Sequence, residues 1–438
     1  MLNRYIGNKK ELLSPIMKVV TGLADADDLV CDIFSGTLAV SVELKRLGFR
    51  VATNDINLFS YHYANALLSH SRLPEIYLDE LVPRTSHGHC NKAAECWAQE
   101  LKSYGGYGFL SDEVLLNSYT KFLALLVFLD QKPETKRPAK YNNQYIFDFY
   151  TEEGRFSAFE SARGKKGKRR FFSPANAKRI DIVLNQIRRW KNEKAITDQL
   201  YSMLLCSLLD GIERIANTQG TYHDFPRDTY DPRSLKSFKF IPLSVEGLIG
   251  KSQCHIVGRE LDSLDFIQTV PAHKVIYIDP PYNFRQYTSY YFLPNLLCRY
   301  CEIEDLEEYF AGLSFVRGQN MNDDFASTFC KSSQFINSLA KIIENARSEF
   351  VVLSYFDGRN HWNQFDTECN GVGYEKLTEL FSSSLFTPNS LKTIPVERLN
   401  YQSYGGYKAK TIREFLFVAE KRNKSTRAEP QRLAVVKQ

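Results

Sequence analysis

Between Leu29 and Asp55 the sequence changes its hydrophobic period twice. Leu29-Val-Cys-Asp-Ile-Phe34 is a short apolar run entering a Ser35-Gly36-Thr37 turn, Ala39 to Leu47 has helical spacing, Gly48 stops it, and Arg50-Val-Ala-Thr-Asn-Asp55 is a second short strand. A strand, a helix and a strand at this spacing form a right-handed crossover with two neighbouring parallel strands. Parallel strands need cover on both faces, so more strands and helices must come from elsewhere in the chain. They recur near Cys254: Cys254 to Val257, Lys274 to Asp279, Glu349 to Tyr355 and Glu414 to Ala419 read as strands, and Asp305 to Leu313 and Ser332 to Ala346 as helices. Between about His70 and Val245 the pattern is helical, as at Asp198 to Asn217, but broken by aromatic, glycine-rich and basic stretches such as Tyr104-Gly-Gly-Tyr-Gly-Phe109. The expectation is one α/β domain built from residues 1–70 and 245–422, an insertion at 71–244, and a basic tail at 423–438.

With 43% hydrophobic and 24% charged residues the 438-residue chain is ordinary globular material, which excludes a largely disordered, collagenous or coiled-coil protein. The longest apolar run, Phe122 to Leu129, is too short to span a bilayer, and Met1 to Tyr5 opens no apolar signal region. No membrane partner and a cytoplasmic location are expected. Nine scattered cysteines read as free thiols in a reducing compartment. His87, His89, Cys90 and Cys96 lie close together, and Cys298 and Cys301 have a CxxC spacing. Neither group has the second pair that zinc requires, so no metal is expected, and the first group reads as loop polar residues. Net charge is only +5, but Thr151 to Trp190 holds eleven basic against four acidic residues, centred on Arg163, Lys165, Lys166, Lys168, Arg169 and Arg170. Lys421 to Gln438 adds six basic against one acidic residue. Such blocks read either as solvated faces or as surfaces that displace counterions from a polyanion. Gly164 and Gly167 predict a flexible loop in the first block.

The strongest chemical signal is Asp279-Pro280-Pro281-Tyr282 after the apolar Val275 to Ile278. Two prolines end a strand and fix the backbone beyond it. They hold an acid and an aromatic at the carboxyl edge of a sheet, where open α/β proteins bind ligands. A carboxylate and a backbone carbonyl can accept both hydrogens of an exocyclic amine, and the tyrosine offers a face on which an extruded base stacks. The second signal is Asp32-Ile-Phe-Ser-Gly36 followed by Asp55, 19 residues after Gly36. A glycine turn lets a ligand approach the helix N-terminus, and an acid at the end of the next strand is where ribose hydroxyls are held. The turn is not GxGxxG, which argues against a nicotinamide cofactor.

Taken together these residues resemble the Dam-like D12 class, alpha group, of DNA adenine-N6 methyltransferases. Tyr5-Ile-Gly7-Asn-Lys9 is similar to the family's N-terminal motif, Asp32, Phe34 and Gly36 to its cofactor loop, Asn54-Asp55 to its ribose-binding acid, and Ile278 to Asn283 to its catalytic motif. Phe171 to Pro174 and Ala216 to Tyr222 also resemble members of the class. The resemblance implies a Rossmann-like S-adenosylmethionine-dependent methyltransferase sheet with helices on both faces and an inserted, mainly helical target-recognition region. It implies S-adenosyl-L-methionine as cofactor and duplex DNA as partner, with a cognate restriction endonuclease acting separately. Asp279, Pro280, Pro281 and Tyr282 take the catalytic positions. Tyr5, Gly7, Lys9, Asp32, Phe34, Gly36 and Asp55 take the cofactor positions. Glu260 is the first candidate to hold the cofactor's adenine, with Asp262 and Asp265 as rivals. Lys165, Lys166, Lys168, Arg169, Arg170 and Arg285 are the expected DNA contacts.

The chain departs from the family pattern at Leu38, where many members carry a second glycine; a branched side chain there could crowd the cofactor, but some Dam-like members carry a bulky residue at that point, and Leu38 reads as variation within the family. Two other readings stay open. One is a methyltransferase for another amine, such as cytosine N4 or RNA adenine, although enzymes of those kinds more often carry Ser or Asn in place of Asp279. The other is a catalytically weak DNA-binding relative, for which Leu38 is the support.

Overall fold

The computed structural model describes residues 5–131, 138–248, 255–356, 358, 360–363, 371–399 and 411–422. The expected basic tail at 423–438 and Cys254 lie outside the described residues. The strands are β1 (Leu29–Asp32), β2 (Arg50–Thr53), β3 (Ala158–Glu160), β4 (Lys166–Lys168), β5 (Ile256–Val257), β6 (His273–Ile278), β7 (Ser348–Phe356), β8 (Lys392–Leu399) and β9 (Thr411–Glu420). Seven of them form one sheet in the order β5-β2-β1-β6-β7-β9-β8. The first five in that order run parallel, whereas β9 is antiparallel to both β7 and β8. The sequence reading missed β8. It carries Pro395, a breaker within a strand, but β8 is the edge of the sheet, where a missing N–H is tolerated.

Pleating explains why the sheet is covered on both sides. Along β6, Val275 and Tyr277 face a core with Leu12, Ile16 and Val20 of the first helical segment and Leu44 of helix Ala39–Arg46. Ile276 and Ile278 face the opposite core, with Phe266 and with Phe335, Leu339 and Ile342 of helix Ser332–Asn345. Alternation of period two thus yields three layers. Each fully buried aliphatic side chain contributes about 1.5–3 kcal/mol relative to exposure.

The described residues of 58–131 and 138–248 are mainly helical. Helices Leu58–Leu67, Arg84–Leu101, Glu113–Gln131, Pro174–Asn192 and Asp198–Ile215 share one apolar core that continues into Phe292–Arg299. Ser173 and Thr197 cap two of them, each side chain accepting a backbone N–H of the first turn. Two expectations are corrected here. His87, His89, Cys90 and Cys96 lie on helix Arg84–Leu101 and not in a loop. The Arg163 to Arg170 block is not a flexible loop: β3 and β4 pair antiparallel, Gly164 turns the chain at φ +74°, and Phe159 packs where a side chain at Gly167 would stand. No helix among the described residues is long and apolar enough to cross a membrane.

Candidate active site

From β1 the chain leaves first to β2 on one side and later reaches β6 on the other, so the β1/β6 boundary is a topological switch point. Register aligns the strand ends: Asp32 lies opposite Thr53 and Tyr277. The segments that follow these strands, together with Tyr5–Lys9, wall a cleft. Tyr5, Gly7, Lys9, Asp32, Phe34, Gly36, Asp55, Asp279, Pro280, Pro281 and Tyr282 all line it, although the chain positions span nearly three hundred residues.

The β1 turn is held from several directions. Gly36 has φ +50°, its N–H donates to Asp55 Oδ2 at 2.8 Å, and its carbonyl accepts from Ser60 Oγ. A Cβ at this glycine would stand 2.9 Å from the Tyr5 ring, so the close approach, besides the left-handed backbone, requires glycine. Asp55 Oδ1 accepts the Asn57 backbone N–H at 2.9 Å and its side-chain amide at 2.8 Å. Burial raises the Asp55 pKa, and these hydrogen bonds oppose the rise. Asp32 is 1% exposed; its Oδ2 accepts from Ser41 Oγ at 2.6 Å, and its Oδ1 is buried without a partner among the described residues. Burial pushes its carboxyl up to about 7, with smaller upward contributions from Asp279 and Asp55.

Leu38 adopts the left-handed conformation at φ +63° that a glycine accepts more readily. Its side chain is fully buried in the large helical core and is not among the residues lining the cleft. The side chain of Leu38 therefore does not crowd the cleft: the unusual feature at Leu38 is its backbone, and its side chain points into packing.

Across the cleft, the N-terminal segment closes against the Asp-Pro-Pro-Tyr turn. Tyr5 stacks on Tyr291 at 4.6 Å, and the Ile6 N–H donates to Tyr291 Oη at 2.8 Å. Lys9, 5% exposed, bridges two carboxylates, with Nζ 3.1 Å from Asp279 Oδ1 and 2.9 Å from Glu414 Oε2. Burial pushes its ammonium pKa down, but Asp279 and Glu414 more than offset this, leaving it well above the ordinary value. Lys9 Nζ also lies 5.9 Å from the Tyr282 ring, which packs on Phe356 and Tyr355. Phe34 meets Phe329 edge to face at 5.0 Å.

Other expected residues lie elsewhere. Glu260 is not on the cleft: it has φ +51° and pairs with Arg299, whereas its rival Asp262 lines the cleft with Leu261 and Ser263. Asp262 Oδ1 also caps helix Ser263–Thr269 by accepting the Leu264 N–H at 3.0 Å. Arg169 is 2% exposed, and its guanidinium donates to the carbonyls of Val316, Phe315, Phe156 and Phe149, so it is an internal strut and not an outward contact. Arg170 pairs with Glu152 at 2.7 Å. Lys165, Lys166 and Lys168 are exposed on the hairpin, and Lys166 stands 3.5 Å from Glu160. Arg285 is half-buried, with its guanidinium 5.9 Å from the Tyr290 ring. Among the described residues no group of three or more His, Cys, Asp and Glu is arranged to hold a metal ion. Sequence reasoning missed Glu414. Its signal was an acid opening the apolar run Glu414 to Ala419.

Comparison with known proteins bears on this arrangement. A model of the family "D12 class N6 adenine-specific DNA methyltransferase" matches residues 5–95 and 129–355. The chain is 25% identical over 423 residues to "Modification methylase StsI" of Streptococcus sanguinis, which covers 96% of this chain and 52% of that protein. It is 26% identical over 357 residues to "Type II methyltransferase M.NlaIII" of Neisseria lactamica, covering 80% and 82% respectively. It is 24% identical over 419 residues to "Type II methyltransferase M.FokI" of Planomicrobium okeanokoites, covering 95% and 52%. The chain thus spans about half the length of the first and third of these relatives. With the matched segments taking in the N-terminal motif, the cofactor-type turn and the Asp-Pro-Pro-Tyr turn that meet in one cleft, the chain belongs to the D12 class N6 adenine-specific DNA methyltransferase family.

Proposed function

We propose that the chain is a site-specific DNA methyltransferase that transfers a methyl group from S-adenosylmethionine to the N6 amine of an extruded adenine, as the modification enzyme of a restriction-modification system. The observation that carries this is Asp279, anchored by Lys9 beside Tyr282, on the same cleft as the Gly36–Asp55 turn.

The cleft fits the cofactor on its own chemistry. Asp32 Oδ1 is a buried acceptor that lacks a donor among the described residues, and an ammonium group answers it. Gly36 lets a ligand approach the turn backbone, and Asp55, held by Gly36 and Asn57, stands at the end of the second strand where ribose hydroxyls are gripped in folds of this kind. Tyr5, Gly7, Lys9 and Phe34 complete the wall, and Asp262 is the acid best situated for the adenine ring. When bound, S-adenosylmethionine supplies an electrophilic methyl group.

The chain's own work is positioning. Tyr282 stacks on the extruded base, whose unstacking costs a few kcal/mol. Asp279 and the Pro280 carbonyl accept the two amine hydrogens, which aims the nitrogen lone pair across the cleft, and Pro281 keeps that carbonyl fixed. Asp279 need not be a strong base, because the amine becomes acidic as its bond to carbon forms. Residues 71–244 act as the target-recognition region. Lys165, Lys166, Lys168 and Arg285 contact phosphates, with Arg170 joining only on release from Glu152. A restriction endonuclease acting separately and a cytoplasmic location complete this reading. The burial of Leu38 away from the cleft removes the support for a catalytically weak relative.

The test is transfer of labelled methyl from S-adenosylmethionine to unmethylated genomic DNA, with sequencing of the modified bases and Asp279→Ala in parallel. N6-methyladenine in one sequence context, lowered at least a hundredfold in the variant, is the expected result. Labelled RNA or protein without labelled DNA refutes it.

A further inference from the structure

Strand β9 follows a simple pattern on one face. Leu416 and Val418 point into the core shared with Tyr277 and Val352, and the next position on that face, two residues earlier, is Glu414. An apolar side chain suits that position, yet Glu414 is a carboxylate that is 1% exposed. A buried acid is tolerated only with partners. Here Lys9 donates to Oε2 at 2.9 Å, and Ser354 Oγ lies 3.4 Å from the same oxygen. Lys9 in turn stands 3.1 Å from Asp279. The contact joins residues 405 positions apart and ties the N-terminal wall of the cleft to strand β9.

We propose that Glu414 is a positioning residue for methyl transfer: it holds the Lys9 ammonium against Asp279 and so fixes the carboxylate that accepts the substrate amine. The proposal rests on the methyltransferase reading given above. Without Glu414 the ammonium has lost one of its two carboxylate partners. The ammonium, on a four-carbon stem, is then restrained by Asp279 alone and no longer fixes that carboxylate in one position. The groups facing Lys9 are Asp279, Glu414, Tyr282 and Tyr277. Removing the Glu414 charge leaves burial acting on Lys9 with less compensation, so Lys9 loses its proton at lower pH.

Glu414→Gln keeps the shape and removes the charge; Glu414→Asp keeps the charge on a shorter arm. Both are assayed beside the unaltered chain for kcat on unmethylated DNA across pH and for the dissociation constant of S-adenosylmethionine, with thermal unfolding as the folding control. For Glu414→Gln, kcat falls roughly 10- to 100-fold while cofactor affinity changes less than about threefold. The alkaline limb of its pH profile moves to lower pH, and Glu414→Asp restores the limb. An unaltered chain that methylates DNA alongside a Glu414→Gln variant with the same kcat and the same limb overturns the proposal and leaves the functional reading standing. The proposal also fails when Glu414→Asp behaves as Glu414→Gln does. An unaltered chain that transfers no methyl to DNA overturns the functional reading itself, and the proposal with it.

Discussion

Leu38 separates backbone strain from side-chain packing at one position. Its φ of +63° costs a branched L-residue about 1–2 kcal/mol, and its fully buried side chain sits in the large helical core. Truncation to alanine removes the packing and keeps the strain, so Leu38→Ala should lose about 3 kcal/mol of stability. Leu38→Gly removes slightly more packing but relieves the left-handed penalty, which glycine escapes. The glycine variant is therefore expected to be about 1 kcal/mol more stable than the alanine variant, the reverse of the usual ranking within regular structure. Urea unfolding of the three proteins, compared at equal m-values, reads this order. Calorimetric titration with S-adenosylmethionine reads the second half of the prediction: neither variant changes affinity more than about twofold, because Leu38 does not line the cleft. Leu38→Ala proving more stable than Leu38→Gly would refute the backbone argument. A tenfold gain in affinity for the glycine variant would refute the packing argument and return Leu38 to the cofactor site.

Arg169→Ala strips the donors from four backbone carbonyls and should destabilise the fold by about 3 kcal/mol in the absence of any nucleic acid, whereas Lys168→Ala should leave stability within about 0.5 kcal/mol. The same Lys168→Ala should lower by about 1 the slope of log affinity for DNA against log salt. Equal stability of the two variants refutes the strut assignment, and an unchanged slope refutes the phosphate contact. Asp32 has its carboxyl raised from 3.8 to about 7 by burial, so its contribution to stability is present in full below about pH 4 and is lost as pH rises through 7. Three units correspond to at most about 4 kcal/mol. Asp32→Asn should flatten the fall in stability between pH 4 and 7, and a variant that keeps the full slope refutes the assignment.

The parts of the site legible in the sequence are those whose constraint is local. The Ser35-Gly36-Thr37 turn had to join a strand to a helix, and Pro280-Pro281 had to end a strand, so both could be put at the edge of a sheet before any packing was known. Charge runs were legible as composition but not as function. Lys168 and Arg169 are adjacent in sequence, yet one is exposed and the other is buried against four carbonyls, because the alternation of β4 continued to Arg169 decides which faces outward. Glu260 and Asp262 show the same limit: both follow β5 at plausible spacing, and the left-handed backbone at Glu260 sends one to Arg299 and the other to the cleft. Glu414 could not be linked to Lys9 by any local rule, because its partner lies at the other end of the chain.

The distribution of charge bears on how a chain of net charge only +5 handles a polyanion. Asp32, Asp55 and Asp279 line the cleft and Glu414 stands behind it, with Lys9 as the ammonium they surround. Burial raises Asp32 and Asp55, so the cleft resists gathering further negative charge. Two unit charges 5 Å apart at an effective dielectric near 20 interact by about 3 kcal/mol. Carboxylates so disposed therefore hold a cationic reactant and disfavour an anion at the same depth. In the proposed reaction a sulfonium donor would carry a positive charge that its product lacks, so the carboxylates lining the cleft would favour the reactant over the product. In the proposed function the same field would keep phosphodiesters out of the cleft and admit the uncharged base. Cations suited to phosphate are found outside the lining, at Lys165, Lys166 and Lys168 on the hairpin and at Arg285 just beyond the Asp-Pro-Pro-Tyr turn. An acidic interior with basic groups outside it is the separation that the proposed selection of an extruded base from a charged backbone calls for, and net charge alone conceals it.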